Sequence, residues 1–276
     1  GDQWAGTGAT SVAGGATLGG TGTLGGNVAI ADGGAINPGG IGGAPGVLAI
    51  AGNLDLAPAA TLNYNFGQAN VVGGAFNDLV NVGGDLILDG TLNVTASGGG
   101  SFDPGIYRVI NYGGALTNNG LAIGTIPSGT DFYVQTSVAN QVNLINTNGL
   151  ALRFWDGASG GRNDGIITGG DGVWQNVSGN DNWTLDDASI NAPFLDSAFA
   201  IFSGAAGTVT VDEDLGAINV SGMQFATDGY VIAGDPIHLA GAPASVIRVG
   251  DGTATGAGVT ATIASDILGT SQLVKT

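Results

Sequence analysis

The sequence predicts an all-β chain wound as a β-solenoid. Three observations carry that prediction. A short phrase recurs in which an alternating apolar-polar run is closed by Gly-Gly, Gly-Asn or Gly-Asp, as in Thr23-Leu24-Gly25-Gly26-Asn27-Val28-Ala29-Ile30 and Val82-Gly83-Gly84-Asp85-Leu86-Ile87-Leu88. Glycine supplies 54 of 276 residues, far above the usual ~7%, without the Gly-X-Y period of collagen. The helix formers Met, Glu (Glu213) and Lys (Lys275) occur once each, and no run has a 3.6-residue period with caps. Period-two alternation sends one side-chain set inward and the other outward. Glycines are expected where corners need a positive φ.

Residues 1–150 are expected to form rungs of Gly-rich repeats. Residues 1–100 hold the clearest phrases, among them Val47-Leu48-Ala49-Ile50-Ala51-Gly52-Asn53-Leu54. Asn37-Pro38-Gly39-Gly40 and Ala44-Pro45-Gly46 read as turns. Residues 101–150 continue the alternation with larger side chains, as in Ile106-Tyr107-Arg108-Val109-Ile110.

Residues 151–198 change character. Trp155, Trp174 and Trp183 fall here among Gly-, Asn- and Asp-rich runs, so this segment is expected to be loop-rich and to mark a module junction. Recognition usually sits on loops held by a rigid scaffold. The stretch from Trp155 to Asp196 is therefore expected to project as a contact surface, with tryptophan packing inside an imperfect rung as the competing account. Residues 199–276 return to rungs, including Thr208-Val209-Thr210-Val211 and Val246-Ile247-Arg248-Val249. At ~20–25 residues per rung and ~4.8 Å per coil, one continuous stack would have about 11–14 coils and a length of roughly 50–65 Å.

The net charge of −17, from 22 acidic and five basic residues, makes nucleic acid and anionic membrane surfaces poor partners, and no nucleic-acid partner is expected. No segment reaches the ~20 apolar residues of a membrane span. The chain opens at Gly1 without a leader and closes at Thr276 inside a strand pattern, which leads us to expect a fragment of something longer.

The run from Asp156-Gly157 through Gly170-Asp171-Gly172-Val173-Trp174, Asn182-Trp183 and Phe199-Ala200-Ile201-Phe202-Ser203-Gly204 resembles a recurring unit of bacterial autotransporter (type V secretion) passenger domains. Val220-Ser221-Gly222-Met223-Gln224-Phe225 continues that unit. Leu273-Val274-Lys275-Thr276 resembles the opening of the next autotransporter-associated β-strand repeat, and Gly22-Thr23-Leu24-Gly25-Gly26-Asn27-Val28 resembles a preceding one. The resemblance implies a right-handed parallel β-helix, displayed on the bacterial surface or outer membrane by a C-terminal barrel missing here. Release into the medium stays open. It implies a stalk or surface-display segment of an adhesin. Partners would be a host-surface or matrix ligand, not identified, or like passenger chains. The absence of cysteine fits an extracytoplasmic bacterial protein. The alternative is a carbohydrate-active β-helix lyase or hydrolase.

Residue chemistry favours a non-enzyme. His238 is the sole histidine, and alternation sends it away from Ile237 and Leu239. Asp186-Asp187 and Asp212-Glu213-Asp214 are the densest carboxylates, but neighbours on a strand point to opposite faces, whereas acid-base pairs must span a cleft. Gly73-Gly74-Ala75-Phe76-Asn77-Asp78 faintly resembles a calcium β-roll phrase, with Phe76 where glycine belongs, and a single copy is too few for six to eight oxygen ligands. Sequons at Asn93, Asn176, Asn182 and Asn219 are those expected by chance. The sequence assigns no catalytic, cofactor-binding or metal-ligating residue.

Overall fold

The computed structural model describes residues 7–40, 43–157, 159–177 and 179–276. Among these there is no α-helix, only one 3-10 turn at Gly256–Gly258. The chain divides into two compact units, Gly1–Asn148 and Gly149–Thr276.

In the first unit each sheet takes every third strand in chain order, so the chain coils. The first sheet runs Thr10–Val12, Val28–Ile30, Leu54–Leu56, Leu86–Leu88 and Leu116–Asn118, all parallel. The second runs Thr17–Gly20, Ala35–Pro38, Thr61–Phe66, Thr91–Ala96 and Ala122–Ile123. The third runs Gly22–Leu24, Val47–Ile50, Leu79–Val82 and Gly105–Tyr112. Alternation decides what is inside. Along Thr61–Phe66 the side chains of Leu62, Tyr64 and Phe66 are buried, and Thr61, Asn63 and Asn65 face out. In register, Leu62 stacks on Leu92 and Tyr64 on Val94, giving a continuous apolar interior.

The coils are longer than the 20–25 residues expected. Equivalent corners lie 26, 32 and 30 residues apart. The extra length enters between the second and third sheets, where residues 67–78 separate Phe66 from Leu79.

Glycine serves two different needs at two corners. Between the first and second sheets, Gly15, Gly33, Gly90 and Gly120 have φ of 81, 74, 91 and 101°, the left-handed region that side chains resist. Between the third and first sheets, Gly52, Gly84 and Gly114 do not have positive φ, which corrects the expectation for the Gly-Asn and Gly-Asp phrases. Their need is clearance. A Cβ on each would fall 2.3, 2.1 or 2.2 Å from the side-chain oxygen of Asn27, Asn53 or Asp85 respectively, one coil back. That oxygen accepts the amide hydrogen of the residue after the glycine: Asn53 N–H to Asn27 Oδ1 (3.0 Å), Asp85 N–H to Asn53 Oδ1 (2.9 Å) and Ala115 N–H to Asp85 Oδ1 (2.8 Å). Each ladder residue thus accepts from the coil after it and donates its own amide to the coil before. The ladder stops at Ala115, which has no side-chain oxygen to offer.

The parallel ladder is not one uninterrupted stack. Gln141–Asn146 pairs antiparallel with Gly105–Tyr112, and Phe132–Gln135 pairs antiparallel with Gln141–Asn146, closing the third sheet of the first unit. In the second unit Phe199–Phe202, Gly222–Phe225, Ala244–Val249 and Gln272–Lys275 form a parallel ladder. It is flanked at Phe199–Phe202 by Phe154–Trp155, followed by antiparallel Trp183–Thr184 and Asn191–Ala192. Two further parallel sheets complete the unit: Gly172–Trp174, Thr208–Val211, Tyr230–Gly234 and Ala261–Ile263, and Asn219–Val220, Ile237–Leu239 and Ile267–Gly269. The clearance rule recurs here, with Thr208 N–H bonded to Asp171 Oδ1 at 2.6 Å and Gly207 leaving room for it.

Gly84→Ala and Asn53→Ala test this corner as a double-mutant cycle. Gly84→Ala is expected to cost about 1–3 kcal/mol by a clash, and Asn53→Ala about 0.5–1.5 kcal/mol by removing an exposed hydrogen bond. The pair is expected to cost at least about 0.5 kcal/mol less than their sum, because removing Asn53 Oδ1 relieves the closest clash of the methyl group added at Gly84 and leaves the Gly52 backbone, at 3.0 Å, as the next contact. Urea melts of the four proteins measure it, and strict additivity would contradict the mechanism.

Candidate functional sites

The Gly73–Asp78 phrase lies in the long corner between the second and third sheets. Asp78 is buried and accepts three hydrogen bonds, from Gly46 N (2.7 Å) on Oδ1, and from Asn65 N (2.7 Å) and Asn65 Nδ2 (3.0 Å) on Oδ2. Asn77 is equally buried. Its Oδ1 accepts from the Gly67 and Gln68 amides, and its Nδ2 donates to the Gln68 and Val71 carbonyls. N–H donors point at the Asp78 carboxylate, the reverse of what a cation needs. The pair is a polar stitch that fixes a long corner against its neighbours. Burial raises the Asp78 pKa, opposed by the Asn65 and Gly46 bonds.

The carboxylate clusters cap turns. Asp187 Oδ1 accepts the Ser189 amide, and Ser189 holds that exposed carboxyl below the usual range. Asp212 accepts Gln175 Nε2 and the Asp214 amide. His238 lies on the outward face between buried Ile237 and Leu239. Its Nε2 is 3.2 Å from Glu213 Oε1, an oxygen that also accepts the Ile218 amide. The imidazole and carboxylate tie a corner to the neighbouring sheet. The sequon residues make similar ties. Asn176 Nδ2 donates to the Leu215 carbonyl, Asn182 Nδ2 to the Val173 carbonyl, and Asn219 Nδ2 to Asp196 Oδ1.

The segment from Trp155 to Asp196 does not present its tryptophans as a contact surface. Trp155, Trp174 and Trp183 are fully buried. They pack with Phe194 and Phe202, with ring centroids 4.6 Å apart for Trp183–Phe194 and 5.0 Å for both Trp174–Trp183 and Trp174–Phe194. Phe202 stacks on Phe225 at 4.9 Å, so this cluster continues into the interior of the parallel ladder. The physical reason is the antiparallel turn-back of Trp183–Thr184 against Phe154–Trp155, which folds the aromatic faces inward. Trp155 Nε1 donates to the Gly170 carbonyl at 2.8 Å. Tyr230 reaches the same region, its hydroxyl donating to the Ser203 carbonyl at 2.6 Å, and burial pushes its pKa up to about 12.

A second device, which the sequence reading missed, orders the Gly/Asn/Asp loops. Arg162 is nearly buried. Its Nε lies 3.3 Å from Asp181 Oδ1, its Nη1 lies 3.9 Å from Asp156 Oδ2 and donates to the Gly157 carbonyl (3.1 Å), and its Nη2 donates to Asn182 Oδ1. Buried Asp156 also accepts Thr168 N, Thr168 Oγ1 and Asn191 Nδ2. The signal available was one of only five basic residues standing amid acidic and amide side chains.

Outward residues of the second sheet form a separate surface. Asn37, Asn63, Asn65, Asn93, Thr95 and Thr125 line a shallow trough of about 380 Å³.

Comparison with known proteins adds a family context. The chain is 59% identical, over an alignment of 281 positions covering its whole length, to the Adhesin BmaC autotransporter of Brucella suis biovar 1 (strain 1330). The chain is similar throughout to a segment of an autotransporter. It spans 8% of that protein's length. The resemblance read from the repeats is thereby borne out. No family model and no solved structure matches. Among the described residues no helix is long and apolar enough to cross a membrane, which leaves strand-built spans unaddressed.

Four measurements test these sites. Arg162→Met is expected to destabilise the second unit by about 3–5 kcal/mol, because it leaves buried Asp156 without its cation. Deleting residues 158–182, which removes Arg162 and Trp174, is expected to abolish the cooperative melt of that unit. A deletion that melts cooperatively would show the segment to be dispensable packing. For Asp78, a raised folded-state pKa means the folded protein holds more protons above the unfolded pKa. The Asp78 contribution to stability therefore rises as pH falls from neutrality toward about 4. Asp78→Ala is expected to cost about 2–3 kcal/mol at pH 7, with three donors stranded, and more at lower pH. EDTA is expected to leave the melting temperature unchanged. A cost that shrinks on acidification would show that the Asn65 and Gly46 bonds outweigh burial at this carboxyl, and a melt restored by calcium after chelation would count against the stitch.

Proposed function

We propose that this chain is a surface-display segment, a stalk, of an autotransporter-type outer-membrane adhesin, wound as a right-handed parallel β-helix. The observation that carries the reading is 59% identity, along the whole of this chain, to a segment of a protein named an autotransporter adhesin, in a chain whose first-unit sheets take every third strand. Handedness follows from the strong preference of parallel crossovers for the right-handed form. In this reading residues 1–150 and 199–276 supply display coils, and 151–198 build an aromatic cap. The chain acts on the bacterial surface by contact with a host-surface or matrix ligand or with like chains, and catalyses no reaction. Support for a non-enzymatic role comes from the use of its ionisable groups: Asp78, Asp156, Asp187 and Glu213 are each engaged in capping backbone amides or bonding side chains. The charge of −17 makes nucleic acid an unfavourable partner.

Display of the chain on a non-adherent bacterium, fused to a heterologous outer-membrane barrel, tests the reading. Cells carrying it are expected to bind matrix-coated or host-cell surfaces, or one another, above cells carrying the barrel alone. Equal binding by both would remove the adhesin assignment. Hydrolysis or lyase turnover of a polysaccharide panel by the purified chain would favour the enzyme instead.

A further inference from the structure

The outward face of the second sheet differs from the rest of this acidic chain. Its strands Thr17–Gly20, Ala35–Pro38, Thr61–Phe66, Thr91–Ala96 and Ala122–Ile123 contain no ionisable residue except Tyr64, which points inward. Outward positions are threonine, asparagine, alanine and glycine. Asn63 and Asn93 are paired in register, and Asn37 occupies the same row because Ile36 pairs with Leu62. Amide groups therefore recur on three successive coils at the ~4.8 Å strand spacing, and the row ends at Gly19 on one side.

These amides are held in place from beneath. Asn93 Oδ1 accepts both the amide and the hydroxyl of Thr125, at 3.0 and 3.2 Å. Asn93 Nδ2 donates to Asn63 Oδ1 at 3.1 Å, which fixes the Asn63 amide and leaves its Nδ2 facing outward as a donor. Asn65 Nδ2 is committed to buried Asp78, leaving Oδ1 as an acceptor. Thr95 lies beside Asn65 in register. The trough of about 380 Å³ between them thus presents fixed donors and acceptors without charge. Groups already held in one geometry bind with a smaller entropy cost.

We propose that this trough binds a neutral, β-linked oligosaccharide laid along the coil axis. Sugar hydroxyls both donate and accept, matching alternating amide and hydroxyl groups. One amide per coil is close to the length of one sugar in an extended chain. An anionic glycan is disfavoured by a molecule of charge −17, and a protein loop would ask for an apolar anchor that this face lacks. The trough has no aromatic platform, so a single site is weak, with Kd of about 1 mM, and useful avidity comes from many displayed copies. The proposal rests on the adhesin reading and names its ligand class.

The test uses the 276-residue chain, titrated by NMR with neutral tetrasaccharides of β-linked glucose, galactose and N-acetylglucosamine, and with a heparin tetrasaccharide as anionic comparator. At least one neutral tetrasaccharide is expected to bind saturably, with shifts at Asn63, Asn65 and Thr95, and heparin is not. Asn63→Asp keeps the acceptor for Asn93 but removes the outward donor. It is expected to weaken binding about tenfold, the worth of roughly one hydrogen bond plus a stranded partner, without changing the melting temperature. Asn37→Ala/Thr95→Val is a second variant that leaves the Asn63–Asn93 bond intact and is expected to weaken binding similarly. Thr117→Val, on the outward face of the first sheet, is expected to have no effect. The proposal is overturned by no saturable neutral ligand, by preference for heparin, by variants that bind like the parent, or by these variants abolishing self-association instead. If displayed cells still adhere while the titrations fail, the adhesin reading stands and this ligand assignment falls.

Discussion

The fold depends on a bond between coils rather than within them. At one corner of the first unit an asparagine or aspartate oxygen accepts the amide of the equivalent residue one coil on, and a glycine keeps the space open. A corner is where a strand ladder leaves backbone amides without sheet partners, and at these exposed corners each such bond is worth about 0.5–1.5 kcal/mol net. The side chain supplies the missing acceptor. It also sets the register, because an oxygen fixed in one coil can meet only one amide in the next. A one-residue slip would turn the alternating interior outward, and this bond opposes it at every turn.

Where the ladder cannot continue, the chain changes strategy. The second unit meets the start of its parallel strands with an aromatic cluster and a nearly buried arginine instead of another coil. Trp155, Trp174 and Trp183 fill a space that narrow aliphatic rungs would leave empty, and Arg162 gathers loop carbonyls and carboxylates that have no sheet to join. Solenoids need such terminal structures, because an uncovered end exposes both apolar surface and unpaired strands. Asp78 and Asn77 solve a smaller version of the same problem, pinning the inserted residues 67–78, which have no strand of their own.

The strand pattern, the repeating phrase and the inward set such as Leu62, Tyr64 and Phe66 were legible because alternation is a local property. The recurrence of Gly-Asn and Gly-Asp was equally visible, but its cause was not. Positive φ is a property of one residue, whereas the clearance at Gly84 exists only because Asn53 sits on the coil before it. Coil length was underestimated for a related reason: nothing local says that residues 67–78 belong to one long corner. The tryptophans mislead in the same way. Flanked by Gly, Asn and Asp, they look loop-borne, and only the antiparallel pairing of Phe154–Trp155 with Trp183–Thr184 reveals an inward face. Arg162 was overlooked because its partners, Asp156, Asp181 and Asn182, converge only after those loops close.

The end of the corner ladder at Ala115 has a consequence for how such chains change length over evolution. A coil bearing Gly-Asn both reads the previous coil and templates the next, so duplicating it inserts a unit that fits on both sides. A coil bearing Gly-Ala can be read onto the stack but templates nothing. At this corner of the first unit, duplicating a Gly-Asn coil keeps the ladder going, whereas a coil added after Ala115 would find no side-chain oxygen for its amide, and a single alanine acts as the punctuation mark of a repetitive text.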